Sequence, residues 1–358
     1  MPNCGSALQA FALQHTLDKQ GIDNELIDYI FPNNTPRKSW KKRLRSVFSN
    51  VMTGFAGVRK GKRFIRFYDR YYRCSASRYD TSAALLTSTF DYNFYITGSD
   101  QVWNPRHIRD DCSFFLPFVP DGVPRISYAS SFSTDRIEDR YAAAYASLLK
   151  QYQRISIREE SGLKIVKELT GRDAALVCDP TLLLTKEEWS DIALRRRRPR
   201  IRKPYILVYI LRYAYEPYPE IDRIITRIQE QSGLHLVFMD GTLHNFMRRD
   251  ASVVKDAGPL EFLRLIEDAS FMITTSFHGT AFALNMEVPF YSVIESRDCS
   301  DSRITSLLDL AGVPERAVVY NSTENACDLS MDFTEVRARL ARFRAESLKY
   351  LSDSLQRR

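Results

Sequence analysis

His278 stands in a stretch, Phe271 to Phe290 (FMITTSFHGTAFALNMEVPF), whose residue types could handle an anion. A short apolar run, Phe271 to Ile273, leads into Thr274-Thr275-Ser276. An apolar helical pattern follows through Ala281, Phe282, Leu284 and Asn285. That order predicts a strand, a turn and a helix. The first N–H groups of a helix lack intrahelical partners and carry partial positive charge, so such a turn favours an anion. Ser276 or Thr275 would cap the helix, and Phe277 would open it. Gly279 would let a ligand approach the backbone closely. His278 would stand at the mouth, able to exchange a proton near neutral pH. The same spacing equally describes a capped helix with a histidine on its first turn.

Other polar residues fall where strands are expected to end. Ser99-Asp100-Gln101 follows the apolar run Phe94 to Thr97, and Trp103 closes that loop. Ser130-Ser131 follows Ile126, Arg158 follows ISI, and Asp179 follows ALVC. The C-terminal ends of parallel strands share one edge of a sheet, so these residues can converge on one cleft. A permanently charged, fork-shaped Arg at such an edge suits a carboxylate or a phosphate. Taken singly, Arg158-Glu159-Glu160 could be a charge cluster at a helix start, and Asp179-Pro180 a turn. No P-loop, HExxH, GxSxG or GxGxxG stands in the required context.

Strand and helix patterns alternate along the chain, which predicts a parallel, doubly wound α/β architecture. Gly5 to Gly21 is an amphipathic helix, and Leu26 to Tyr29 a short strand. A helix–strand opening reads as a fold whose first strand is missing or whose start is late. Strands are expected at Phe94 to Thr97, Ile126 to Ser133, Ile155 to Glu160 and Ala175 to Leu184. Helices at Ile137 to Gln151 and Glu160 to Leu169 separate the later ones. A second series has strands at Tyr205 to Leu211, His235 to Met239, Ser252 to Val254, Phe271 to Thr274, Phe290 to Val293 and Ala317 to Tyr320. The expected division is an N-terminal Rossmann-like domain over 1–194, a basic linker over 195–204 and a second Rossmann-like domain over 205–325. A charged C-terminal helix over 326–358 would pack across the junction.

The 358 residues carry a net charge of +7, unevenly placed. The stretch from Arg37 to Arg73 holds 13 Lys and Arg against one acid, Asp69, and Arg195 to Lys203 adds seven bases. The remainder is net acidic. Such separation points to an anionic partner at the basic segments. In 37–73 the bases alternate with Trp40, Phe48, Phe55, Phe64, Phe67, Tyr68, Tyr71 and Tyr72, a composition that suits a membrane surface or a solvated helical insert. No nucleic-acid-binding motif accompanies it, so nucleic acid is not an expected partner. No apolar run approaches a membrane span and the N-terminus lacks a signal-peptide pattern, so a cytoplasmic location is expected. The six Cys are scattered without a CxxC pair, which suggests reduced thiols and no zinc site.

Six pieces together, NCGSALQAFALQ, TGSDQVWNP, SYASSFS, ISIREESG, CDPTLLL and TTSFHGTAFALNMEVPF, strongly resemble the polysaccharide pyruvyl transferase family over Asn3 to Ala311. The resemblance implies a GT-B-like pair of Rossmann-type domains with a cleft between them. It implies transfer of the carboxyvinyl group of phosphoenolpyruvate to sugar hydroxyls, giving a pyruvate ketal on a cell-surface glycan. It also implies that Arg158, in the S-x-R-E segment, and His278, in the S-F-H-G segment, line the donor site. The segment 37–73 is not part of the shared pattern.

On this basis His278 and Asp100 are the candidate catalytic residues, His278 for proton transfer and Asp100 as base or acceptor-orienting group. Arg158, Ser276, Phe277, Gly279, Ser99, Trp103 and Ser130 are the candidate substrate-binding residues. The scheme calls for no metal and no cofactor beyond phosphoenolpyruvate as donor substrate. The acceptor would be a saccharide, and one carried on a polyprenyl phosphate would explain a basic, aromatic segment at an anionic membrane face. Two other readings stay open: a nucleotide-sugar glycosyltransferase on the same frame, and a non-catalytic glycan- or lipid-carrier-binding protein.

Overall fold

The computed structural model describes residues 3–31, 55–109, 111–195, 201, 204–212, 214–239, 251–322 and 328–356. The basic run over 37–54, most of the 195–204 linker, His244 and the expected boundary at 325 lie outside the described residues.

In the first half the elements are α1 (Cys4–Lys19), β1 (Leu26–Tyr29), α2 (Ala56–Tyr71), β2 (Cys74–Tyr79), α3 (Ser82–Leu86), β3 (Tyr95–Thr97), α4 (Pro105–Ile108), β4 (Arg125–Ser127), α5 (Asp139–Lys150), β5 (Ser156–Ile157), α6 (Glu160–Thr170), β6 (Ala175–Leu176) and α7 (Lys186–Leu194). The second half has β7 (Tyr205–Tyr209), α8 (Ile221–Ser232), β8 (His235–Met239), β9 (Ala251–Val254), α9 (Pro259–Glu267), β10 (Phe271–Thr274), α10 (Phe277–Asn285), β11 (Phe290–Ile294), α11 (Arg303–Ala311), β12 (Ala317–Val319) and α12 (Thr334–Leu355).

β7 to β12 form one six-stranded sheet in the order β12-β11-β10-β7-β8-β9, with every neighbouring pair parallel. Runs such as YILVY and FYSVI are buried along their whole length, as expected for strands covered on both faces. The chain leaves β7 outward through β8 and β9, then returns to β10 on its other side. That reversal makes the β7–β10 seam the switch point of the sheet, where ligands bind at the strand C-terminal ends. In the first half β3 pairs with β4 and β5 with β6, and isolated bridges join β4 to the β5 strand. β1 and β2 form a separate parallel pair.

One hydrophobic cluster runs through both halves. It joins Leu8, Phe11 and Leu13 of α1, Phe64 and Phe67 of α2 and Trp189 of α7 to Tyr209, Phe262, Met272 and Phe282 of the second half. α12 crosses back over the junction. Its Arg344 donates through Nε to the Leu182 carbonyl at 2.6 Å, and its Ser347 hydroxyl accepts from the Cys178 N–H at 2.9 Å. Tyr350 donates to the Ser127 carbonyl at 3.3 Å.

Two expectations change. α2 packs its aromatic side into the core: Phe64 and Phe67 are each 2 % exposed, so they are not available to a membrane interface. α7, absent from the sequence reading, begins on a capping box in which Thr185 and Glu188 satisfy each other's backbone N–H groups.

Candidate active site

β10 leads directly into α10 at the switch point. Thr274 accepts the Ser276 N–H at 3.0 Å and donates to the Tyr209 carbonyl, and Thr275 accepts the Leu211 N–H. Ser276 is the N-cap and accepts the Gly279 N–H at 3.2 Å. The turn is therefore stitched to β7 by its own hydroxyls. All nine residues of α10 are buried. Gly279 does not open space for a ligand. A Cβ there would fall 2.5 Å from Thr274 Oγ1 and 3.1 Å from Met272 Cε, so glycine allows the helix to lie against its own strand.

Arg158 arrives from the C-terminal end of β5 with a wholly buried side chain. Its Nη1 donates to Asp179 Oδ2 at 2.8 Å and lies 3.4 Å from Ser99 Oγ, and its Nη2 donates to Asp100 Oδ1 at 3.3 Å. The guanidinium lies 4.4 Å above the Phe277 ring, a cation–π contact. Asp179 also accepts from Ser99 Oγ at 2.8 Å and from both the N–H and the hydroxyl of Thr181. His278 Nε2 lies 3.8 Å from Asp179 Oδ2. The ends of β3, β5, β6 and β10 thus meet at one cluster built from both halves.

Two flanks close the cluster. Asn3 caps α1, and Ser6 of the same turn donates its hydroxyl to Asp100 Oδ2. Asp100 holds a left-handed backbone, φ 80°, which points its carboxylate between Ser6 and Arg158. On the other side Arg303, at the start of α11, forms a two-point pair with Asp301 and lies 5.9 Å from the Phe277 ring. The Gln101 amide bridges the halves: with its oxygen toward Arg303 (3.0 Å to Nη1), its nitrogen reaches His107 at 2.7 Å.

Glu159 follows Arg158 and is also wholly buried. Its Oε1 accepts from Ser131 Oγ at 2.9 Å, from Phe132 N–H at 2.9 Å and from Ser133 N–H at 3.3 Å. Its Oε2 lies 3.9 Å from Arg158 Nε. Glu159 Oε2, Arg158 Nε and His278 Nε2 are buried without a hydrogen-bond partner. Buried polar atoms are normally satisfied, and orphans gathered in one place mark a seat for a polar guest.

A family profile of polysaccharide pyruvyl transferases matches residues 3–297, which include Ser6, Asp100, Arg158, Asp179 and His278. The chain belongs to the polysaccharide pyruvyl transferase family. It is a transferase whose fold is of the GT-B-like kind. The structure is similar to UDP-GlcNAc 2-epimerase of Methanocaldococcus jannaschii in complex with UDP-GlcNAc and UDP. The identity is 12%, the TM-score 0.53, and the match covers 98% of this chain and 90% of that one. It is also similar to the Neisseria meningitidis UDP-GlcNAc 2-epimerase bound to UDP-GlcNAc, at 10% identity and a TM-score of 0.50, covering 96% of this chain and 98% of that one. No curated protein matches the chain.

Charge in the transferase's cluster is set by burial and by Arg158. Burial opposes ionisation of Asp100 and Asp179, yet Arg158, then His278 and the Ser6 hydrogen bond, hold Asp100 well below the usual carboxylate range, and His278, then Arg158 and the Thr181 hydrogen bonds, lower Asp179. Burial pushes Glu159 up despite Arg158 and Arg303. Burial also lowers His278, outweighing the pull of Asp179 and Asp100. Among the described residues no group of three or more His, Cys, Asp or Glu is arranged to hold a metal ion.

Of the residues singled out in the sequence, Ser99, Asp100, Arg158, Ser276, Phe277 and His278 come together here. Trp103 does not. It lies stacked on Phe115 in the core of the first half (5.3 Å, 7° between planes), with its indole N–H on the Phe114 carbonyl. Ser130 supports the site from behind, its hydroxyl donating to the Gly98 carbonyl at 3.0 Å. Asp179 is a direct partner of Arg158 rather than a simple turn residue, and Glu159 is a buried acceptor rather than part of a surface charge cluster. Asp301 and Arg303 gave no sequence signal beyond a helix start.

Proposed function

We propose that this transferase moves the carboxyvinyl group of phosphoenolpyruvate onto two hydroxyls of a saccharide acceptor and forms a pyruvate ketal. The observation that carries the reading is the buried junction at which Arg158 and His278 each keep a polar nitrogen without a hydrogen-bond partner at the first turn of α10. A small, densely charged donor needs fixed cations and aimed N–H groups in a water-poor site. Arg158, Arg303 and the first turn of α10 supply that kind of environment.

The chemistry balances without an external reagent. The donor methylene gains a proton, which makes C2 electrophilic. An acceptor hydroxyl adds to C2, phosphate leaves, and a second hydroxyl closes the ketal. Of the two protons lost by the hydroxyls, one replaces that given to the methylene and the other leaves with phosphate. His278 is the proton carrier in this scheme, and Asp100, held ionised by Arg158, orients the acceptor hydroxyl. The acceptor class is a sugar of a surface polysaccharide or its polyprenyl-phosphate-linked precursor.

The deciding experiment compares donors by thermal shift and calorimetry. Phosphoenolpyruvate should raise the melting temperature while UDP-sugars do not, and phosphate should be released when acceptor glycans are added. A shift with UDP-sugars alone would instead make the protein a nucleotide-sugar transferase. Glycan binding without turnover of any donor would make it a binding protein.

A further inference from the structure

We infer that the outer face of α2 is a docking surface for an anionic lipid bilayer. The helix is fixed by its inner face. Ala56, Phe64 and Phe67 are buried. Arg63 reaches both Asp256 and Glu261, and Arg59 pairs with Asp256 at 2.8 Å. Gly258 leaves room for the crossing: a Cβ there would fall 2.6 Å from Arg63 Cβ.

The opposite face is built differently. Phe55, at the N-cap, and Val58 and Ile65, two turns apart on one side of the helix, are 56%, 43% and 58% exposed. They are three of the five large apolar side chains exposed among the described residues, so this is a cluster and not the usual scatter. Lys62 and Arg66 stand on the same face and Arg70 beside it, with Asp69 the one acid of the helix on that side, and none of the four forms an ion pair among the described residues, which leaves the face net basic.

Charge and shape choose the occupant. A second copy docked face to face would bring two net basic faces together. A nucleic acid would engage the bases but leave Val58 and Ile65 facing water. An interface that takes aliphatic and aromatic side chains into its boundary layer and cations into its headgroups fits both sets at once. The bilayer is therefore the partner whose chemistry matches the whole stripe.

The test is co-sedimentation of the full chain with vesicles of phosphatidylglycerol and phosphatidylcholine, against pure phosphatidylcholine, across a salt series. The wild type should bind the anionic vesicles and release them as salt rises. Val58→Ser with Ile65→Ser should lower the bound fraction by about tenfold, with an unchanged melting temperature because both side chains are exposed. Lys62→Gln with Arg66→Gln should weaken binding at low salt and flatten its salt dependence. Three results overturn the proposal: wild type indifferent to anionic vesicles, both variants bound as tightly as wild type, or sedimentation velocity showing that Val58→Ser with Ile65→Ser converts a dimer to a monomer.

Discussion

Gly5 and His278 touch across 273 positions of sequence: a Cβ built on Gly5 would fall 2.2 Å from the ring at Cγ and Nδ1. The first turn of α1 is therefore the wall against which the imidazole is set. It leaves Nε2, the unpartnered nitrogen, facing Asp179. Gly5→Ala should force either the ring or α1 to move. Overpacking of this kind costs about 1–3 kcal/mol, and a displaced proton carrier costs about 10²-fold or more in rate. A Gly5→Ala protein with parental turnover and melting temperature would show that the contact positions nothing.

Arg158 is needed for the fold as well as for the donor. It faces Asp179 and Asp100 by hydrogen bonds and Glu159 at 3.9 Å, with Asp179 and Glu159 wholly buried and Asp100 partly exposed. Removing one partner of a buried ion cluster strands the others, at a cost of about 3–5 kcal/mol. Arg158→Ala should thus lower both the melting temperature and donor affinity. Arg158→Ala with Asp179→Asn should recover part of the stability and none of the donor affinity. Recovery of donor binding in the double variant, by calorimetry, would remove Arg158 from the donor site.

Much of this arrangement could be read before the structure, and the reason is local. Strand–turn–helix units such as β10–α10 are encoded within twenty residues by apolar periodicity and a capping serine, so Ser276 and the helix after it were legible. Strand-end residues on a parallel sheet share an edge by topology, so Ser99, Asp100, Arg158 and His278 could be grouped. The burial of Glu159 could not, because Glu beside Arg at a helix start is usually solvated. Its fate depends on the left-handed turn at Ser133, which aims two N–H groups at it. Arg303 and Gly5 are positioned by contacts between halves of the chain, which no local pattern records. Trp103, expected among the substrate-binding residues, instead tucks its indole into the core.

Glu159 Oε2 lies 3.9 Å from Arg158 Nε in a buried setting. Glu159→Gln keeps an acceptor for Ser131, Phe132 and Ser133 while removing the carboxylate beside Arg158 Nε. The fold should survive with a small loss, about 1 kcal/mol or less. KM for the donor should change, with kcat altered less, because the altered group contacts the donor-binding cation and not the reacting carbon. Equal loss in Glu159→Gln and Glu159→Ala, with parallel falls in melting temperature, would make the residue a packing element only.

Donor binding should carry a proton with it. In the free protein burial lowers the His278 pKa, despite Asp179 and Asp100 nearby. Phosphoenolpyruvate would bring further negative charge beside the ring, and an added anion favours the imidazolium. The His278 pKa is therefore lower in the free protein than in the complex, and between those two values binding takes up protons. By linkage, affinity falls as pH rises through that window, by at most about tenfold per pH unit for one proton. Calorimetric titrations of phosphoenolpyruvate at pH 7.5 in buffers of different ionisation enthalpy should show heats that vary with the buffer. The sign should correspond to protons leaving the buffer. His278→Gln should abolish the part of that dependence owed to the ring while leaving the protein folded, because Gln can occupy the wall formed by Gly5. Turnover in the variant should fall by about 10²–10⁴-fold, the range expected when a general acid is lost. Identical buffer dependence in the parent and in His278→Gln would mean that the ring takes up no proton, and the methylene would then have to be protonated by another group, with Glu159, the buried carboxyl that burial pushes up, the candidate.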